Sequence, residues 1–347
     1  MEGEAFAGSG EVFGEVVFNT ATLGYQEIIT DPASRGQILT MTYPLIGNYG
    51  INKEDEQSTG PQISALLVRE YSPFPSSWRQ EGDLATYLNS QAVLAVEGID
   101  TRARTRYLSE HGTQKGVLST VDLNIESLLA KLQKAEIKLS PPKRAMETMG
   151  SGSHHVVVMD FGVTKKDLTS LTQLGCSLTI VPAETTASEI LNLSPDGIFL
   201  SSGPGDPTSF PELVKEIKKL IGVKPIFGIG FGHLLLGLAN GFSTFKLSRG
   251  HRGANQPVLD LALGNVLITT QNHGFCLNVP GMEGIRDPQA AKNLGGSFQV
   301  THVNVNDLTV EGMAYDNAFS VQFIPSLAGP DSLFKKFIRM MEGEQDA

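Results

Sequence analysis

The sequence predicts an α/β protein of two domains, the first β-rich and the second organised around a central, mostly parallel sheet. Three observations carry this. The 347 residues exceed one ordinary domain and suggest about two. From residue 156 onward short apolar runs alternate with segments of helical period, the βαβα order of a parallel sheet. Before that, residues 140–155 read SPPKRAMETMGSGSHH, in which Pro-Pro and Gly-Ser-Gly displace the apolar periodicity. The boundary is placed there, giving domains at 1–139 and 155–347 with a linker at 140–154.

In the first domain, residues 15–19, 37–41 and 63–69 read as strands, and Thr30-Asp31-Pro32 as a turn. A short helix is expected over 84–89 and a longer one over 101–110, stopped by Gly112. Residues 126–136 set Leu128, Leu129 and Leu132 on one helical face. In the second domain strands are expected at 156–160, 177–181 and 197–200, with helices at 165–174, 188–193 and 212–221. Pro211 suits the first turn of the last of these. Further strands are expected at 266–270, 300–305, 310–315 and 319–323, and an amphipathic helix over 332–342.

Residues 225–241, PIFGIGFGHLLLGLANG, are the centre of the second domain. Residues 225–229 form a short apolar run, as in an interior parallel strand. Glycines at 228, 230 and 232 free the following turn, and 233–239 recur at helical spacing up to Gly241. A strand, sharp turn and helix of this kind usually present a nucleophile at the apex. Here the apex is Gly230, which has no side chain.

Composition narrows the function. Hydrophobic residues make up 40% and charged residues 18%, as in soluble globular chains. The formal net charge of -10 argues against a nucleic-acid or anionic-membrane surface. No apolar run approaches the ~20 residues of a membrane span. Two cysteines, Cys176 and Cys276, imply no disulfide framework and suit a reducing compartment. The N-terminal MEGEAFAGSGEVFGE has neither a signal core nor a transit pattern, so a cytoplasmic location is expected, with an organelle stroma or matrix left open.

Several stretches together resemble one family, the small (glutamine amidotransferase) subunit of carbamoyl-phosphate synthetase. In the first domain they are GEVVFNT at 14–20, GYQEI at 24–28, TDP at 30–32, YPLIGN at 43–48, VREYS at 68–72 and GIDTR at 98–102. In the second they are DFGV at 160–163, GPGDP at 203–207, HRGAN at 251–255, QNHGF at 271–275 and THVN at 301–304. The resemblance covers nearly the whole chain. It implies a small-subunit N-terminal domain followed by a class I glutamine amidotransferase-like domain. The chain begins just past the family's first strand, and residues 287–297 look longer than in the family.

The resemblance also implies what the site ought to hold. Family members hydrolyse glutamine with a Cys–His–Glu triad and pass ammonia to a large subunit. That chemistry needs a thiolate, an imidazole that activates it, a carboxylate that orients the imidazole, and backbone N–H donors for the oxyanion. The family elbow reads Gly-Ile-Cys-Leu-Gly-His-Gln, and residues 228–234 here read GIGFGHL. Gly230 therefore stands at the nucleophile and Leu234 at a glutamine-contacting amide. The family's Val-Gln-Phe-His-Pro-Glu run is VQFIPS at 321–326, which puts Ile324 in place of the base and Ser326 in place of the carboxylate. Ala33 replaces the family's serine after Thr-Asp-Pro. Of the rest of the implied, vestigial glutamine pocket, Gly203, Gly205, Asn272, Gly274 and Phe275 are kept, Phe231 stands at the family's leucine, and Gly232 is an expected oxyanion donor.

These losses agree with one another, because removing one member of such a triad already abolishes most of its rate. The expectation is a small subunit of carbamoyl-phosphate synthetase that cannot hydrolyse glutamine. It would act as a structural and regulatory partner of an ammonia-using large subunit, in carbamoyl phosphate synthesis for arginine and pyrimidine biosynthesis. No cofactor and no metal is expected on this chain, Asp160, Asp206 and His251 being dispersed in sequence. ATP and Mg belong to the large subunit, and a higher oligomer of the heterodimer is compatible. Two alternatives stay open: a working glutaminase with a rearranged site, for example at Cys276, and a regulatory binding module without a synthetase partner.

Overall fold

The computed structural model describes residues 1–137, 139–294, 296–327 and 332–344. The chain divides into two compact units, one of residues 1–139 with 247–253, the other of 140–246 with 254–347.

The first unit is built on a six-stranded sheet. Its strands are β1 (Glu4–Ala7), β2 (Glu11–Asn19), β3 (Gln37–Met41), β5 (Ala65–Leu67), β7 (Leu94–Glu97) and β8 (Gln114–Ser119), in the order β1-β7-β5-β3-β2-β8. The four central strands run parallel, and β1 and β8 close the edges antiparallel. Two short strands, β4 (Leu45–Ile46) and β6 (Glu70–Tyr71), pair separately. The helices are α1 (Tyr25–Thr30), α2 (Leu84–Ser90), α3 (Thr101–His111) and α4 (Ile125–Lys134). Three of them start on side-chain caps, Asp83, Asp100 and Asn124 each accepting a backbone N–H of the first turn. Gly112, at φ 80°, ends α3 where the sequence put the stop. The strand expected over 63–69 narrows to 65–67, and its last ladder bond runs from the Val68 N–H to the Val96 carbonyl.

The second unit holds the parallel core. Strands β10 (His154–Asp160), β11 (Cys176–Pro182), β12 (Gly197–Leu200), β13 (Ile226–Ile229) and β18 (Ala318–Val321) are mutually parallel in the order β11-β10-β12-β13-β18. The apolar runs alternate faces. Val157 and Met159 of β10 face one layer, into which α6 (Ala187–Asn192), α7 (Pro211–Leu220) and α8 (Phe231–Ala239) send Ile190, Ile217 and Leu235. Val156 and Val158 face the other, filled by Leu168 and Leu171 of α5 (Lys165–Gln173) and Phe334 and Phe337 of α9 (Leu333–Met341). A sheet buried on both faces is why these strands read as unbroken apolar runs.

On one edge the sheet continues antiparallel through β17 (Val310–Tyr315), β16 (Phe298–Asn304), β14 (Ser243–Asp260) and β15 (Val266–Asn278). On the other, β9 (Glu147–Met149) pairs antiparallel with β11. Part of the segment expected as linker is therefore an edge strand. Arg144, just before it, reaches the buried Asp160 carboxylate at 3.5 Å.

Two expected boundaries move toward the elbow. The helix begins at Phe231 rather than His233, since the turn is one residue long. The last strand ends at Val321 rather than residue 323, because Gln322 bonds through its backbone to Glu311 and Ile324 to Thr270.

Candidate functional site

Every residue of β13 is buried, and the strand lies between β12 and β18 at the centre of the parallel sheet. Gly230 follows at φ 56°, ψ -107°, a conformation that residues with a Cβ rarely adopt. Its N–H donates to the Val321 carbonyl at 2.9 Å, which fixes the apex beside the end of β18. Helix α8 leaves at once, and Gly241 at φ 92° follows its last turn.

The other two glycines make room for packing. A Cβ on Gly228 would lie 3.1 Å from the Gly232 carbonyl, and one on Gly232 would land on the Leu200 carbonyl oxygen. Strand and helix therefore approach as closely as bare backbone allows. Gly232→Ala should destabilise the chain by roughly 3–5 kcal/mol, since backbone on β12 cannot move aside. A thermal melt checks this, and a change of less than about 1 kcal/mol would show that the helix can slide.

The Gly232 N–H, which the sequence offered as an oxyanion donor, is engaged by the Ser201 carbonyl at 3.0 Å. Ser201 is fully buried and works as a tie. Its hydroxyl accepts from the Phe161 N–H and donates to the Ser202 carbonyl, both at 2.9 Å. Ser202 stands over the apex: a Cβ built on Gly230 would lie 2.6 Å from its Oγ. No sequence pattern marked Ser202 as a neighbour of the elbow. The loop of Gly203 and Gly205 begins here. Gly203 passes so close to the Phe161 carbonyl that a Cβ would collide with it, and Gly205 has φ 100°.

The structure brings the run at 321–326 to the same place. Three residues past Val321, the Ile324 N–H donates to the Thr270 carbonyl at 2.9 Å, bridging to β15. Ile324 is half-buried and Ser326 exposed. Strand β15 carries Asn272, Gly274 and Phe275, all half-buried. His273, between them, spans Gln271 Oε1 and the Phe275 carbonyl, each at 2.9 Å. Elbow, 321–326 run and 271–275 run are thus tied through Gly230–Val321 and Ile324–Thr270.

The remaining predicted positions face packing. Leu234 is 3% exposed and lies in an apolar cluster with Leu259, Leu277, Val300 and Met313. Ala291, from the segment that looked longer than in the family, completes the same cluster at 0% exposure. That segment, with its 3-10 turn at Pro288–Asn293, therefore contributes to the apolar cluster that holds Leu234. Phe231 points into the helical layer, edge-on to Phe161 and Phe210 at 5.9 and 5.8 Å. Ala33 belongs to the first unit, in the turn Pro32–Ser34, where its N–H bonds the Asp31 carboxylate at 2.9 Å.

His233 is fully buried. Its Nδ1 lies 2.8 Å from Ser320 Oγ on β18, a partner that the sequence did not suggest. Burial, reinforced by the nearby His302, pushes its pKa down to about 3. The two thiols are no better as catalysts. Burial raises Cys276 well above the usual thiol value, and the Glu311 and Asp307 carboxylates add to this. Cys176 is pushed up to about 11, again by burial first. Neither is a thiolate near neutral pH.

A parallel sheet with a strand–elbow–helix at its centre and an antiparallel extension defines a class I glutamine amidotransferase domain, and residues 157–340 match the family model of that description. Residues 1–118 match the model described as carbamoyl-phosphate synthase small chain, CPSase domain. The chain belongs to the carbamoyl-phosphate synthase small chain family. It is 43% identical to the carbamoyl phosphate synthase small chain of Syntrophotalea carbinolica, over 98% of this chain and 94% of that one. It is 42% identical to that of Listeria monocytogenes serotype 4b, over 99% and 94%. To that of Bacillus cereus strain ATCC 10987 the figures are 43%, 98% and 93%.

Proposed function

We propose that this small chain does not hydrolyse glutamine and serves as a structural and regulatory partner of a large subunit that makes carbamoyl phosphate from free ammonia, bicarbonate and ATP. The observation that carries the reading is the elbow. Its apex is Gly230, and the run held beside it through Val321 offers Ile324 and Ser326 where the chemistry requires an imidazole and a carboxylate. Without a thiolate nothing attacks the amide carbon of glutamine. Without an imidazole no proton moves to the leaving ammonia. The buried, protonated thiols supply no substitute.

What is kept fits a scaffold. Gly228, Gly232 and Gly203 each serve close backbone packing, Ser201 ties the loop to the helix, and Leu234 is enclosed by apolar side chains. In this reading ATP and Mg are held by the large subunit and no cofactor by this chain. The products feed arginine and pyrimidine biosynthesis in the cytoplasm.

Reconstitution tests it. This chain with a purified large subunit should make carbamoyl phosphate with ammonium, while glutamine at equal concentration should give at most about a thousandth of that rate. Equal rates with the two nitrogen donors would end the proposal. Failure to associate with any large subunit would favour a binding module separate from the synthetase.

A further inference from the structure

Helix α3, like α2, α8 and α9, lacks the first-turn acid that the remaining helices of the chain carry. Helices α4, α5, α6 and α7 place Glu126, Asp167, Glu189 and Glu212 in their first turns, complementing the positive end of the helix dipole. The first turn of α3 has no acidic residue and carries Arg102 instead. The Asp100 cap directs its carboxylate to the Ala103 N–H at 2.9 Å. Arg106 follows at i+4, a like-charge spacing that further destabilises a helix.

The outward stripe of α3 is laid out by this spacing. Arg102, Arg106 and Ser109 stand at i, i+4 and i+7 on one face, rising about 6 Å and then 4.5 Å along the axis. Ser109 Oγ accepts from Arg249 Nη1 at 2.9 Å, so a third guanidinium is fastened at the end of the row. All three arginines are exposed, and among the described residues no ion pair engages them. Arg104, two residues from each of its neighbours, turns to the opposite side and is half-buried against Met1 Sδ. Next to the row, Tyr107 is 53% exposed and stacks on His111 with ring centroids 4.2 Å apart. On a chain of net charge -10, these guanidiniums, without an ion pair among the described residues, stand beside a fixed, exposed tyrosine.

We infer that the outer face of α3, with Arg102, Arg106 and the Ser109-bound Arg249, is a docking surface for a carboxylate-bearing face of the large subunit. This rests on reading the chain as a small subunit. Guanidiniums at fixed spacing suit bidentate pairing with carboxylates, and Arg and Tyr are the residues most enriched among energetically dominant interface contacts. A polynucleotide is disfavoured because Glu110 lies one turn beyond Arg106 on the same face and the whole chain is acidic.

The test uses the full chain and the purified large subunit. Arg102→Glu with Arg106→Glu should weaken association at least about 30-fold, since two attractive contacts become repulsive. Arg102→Lys with Arg106→Lys keeps the charges and should weaken it by less than about tenfold. The wild-type affinity should also fall with added salt more steeply than that of the Glu variant. Thermal melts confirm folding. If the double Glu variant does not fold, Arg106→Gln is measured instead, with about a fivefold weakening expected. Folded variants that bind the large subunit within threefold of wild type would overturn the proposal while leaving the small-subunit reading intact. A wild-type chain that binds no large subunit would overturn both. Salt-sensitive binding to RNA that the Glu substitutions abolish, with large-subunit affinity unchanged, would also overturn it.

Discussion

Gly230→Cys alone should leave glutamine hydrolysis at background, whereas the combination Gly230→Cys, Ile324→His, Ser326→Glu, Leu234→Gln and Ala33→Ser should raise it by several powers of ten. The single change supplies sulfur without a base. A thiol with an ordinary pKa near 8.5 is a few per cent thiolate at pH 7, and nothing at position 324 takes or returns a proton. It also carries a structural cost. The backbone at φ 56° is strained for any side chain, at about 1–3 kcal/mol, and the new Cβ meets Ser202 Oγ at 2.6 Å. That hydroxyl is the end of a rotatable side chain, so it can turn away and the substitution is tolerated. Leu234→Gln is harder, because it places a carboxamide among Leu259, Leu277, Val300, Met313 and Ala291. Burying an unpartnered amide costs roughly 1–3 kcal/mol. The fivefold variant should therefore be both more active and less stable, by about 2–6 kcal/mol in all. Steady-state ammonia release and a urea melt on the same preparations read the two effects. Substantial hydrolysis by the single variant would mean that another group acts as base and that Ile324 does not stand at its position.

The sequence disclosed the elbow, because a strand, a tight turn and a helix are each marked locally. A strand buried on both faces has to be an unbroken apolar run, and 226–229 are one. The end of α8 at Gly241 likewise follows from its own conformational freedom. Contacts between distant segments were not legible. Ser202 over the apex, Ser320 on His233 and Ser201 on the Gly232 N–H join residues 28 to 87 positions apart, and nothing local in a serine announces such a partner. The 18-residue β14 was missed for a different reason. Half or fully exposed along most of its length, it reads STFKLSRGHRGANQPVLD, polar and interrupted by Gly250 and Gly253, with no alternation to detect. Strand β9 was hidden in a segment whose Pro and Gly content suggested a linker, as an exposed edge strand of three residues leaves almost no pattern. The length of the segment at 287–297 was visible, but its role was not. Only the packing shows Ala291 in one apolar cluster with Leu234.

Stability should fall steeply between pH 6.5 and 4.5, an effect built into the scaffold beneath the elbow. His233 is 0% exposed and held down to a pKa of about 3 by burial and by His302. His302, on β16, is 6% exposed and held down to about 4, chiefly by burial. Lys336 adds to the depression, while Asp260, 3.7 Å from His302 Nε2, opposes it. Both imidazoles titrate near 6.5 in the unfolded chain. Between that value and their folded values the unfolded chain binds protons that the folded chain does not. Lowering the pH therefore favours unfolding, by up to about 1.4 kcal/mol per unit for each histidine. Over two pH units the pair amounts to roughly 5 kcal/mol, comparable with the whole stability of many domains. Two other sets of groups do not account for this window. The carboxylates held below their usual range, Asp122 at about 2 with Asp83, Glu189 and Glu216, lose their contribution only at lower pH. Asp160, raised by burial, acts in the opposite sense, since it protonates first in the folded chain, but one carboxyl opposes two histidines. Urea unfolding at pH 7, 6 and 5 should show the midpoint falling at each step, and His302→Asn should remove about half of the slope. A midpoint that is flat from pH 7 to 5 would mean that the two imidazoles accept protons inside the fold, and that the layer joining α8 to β16 and β18 is open to water.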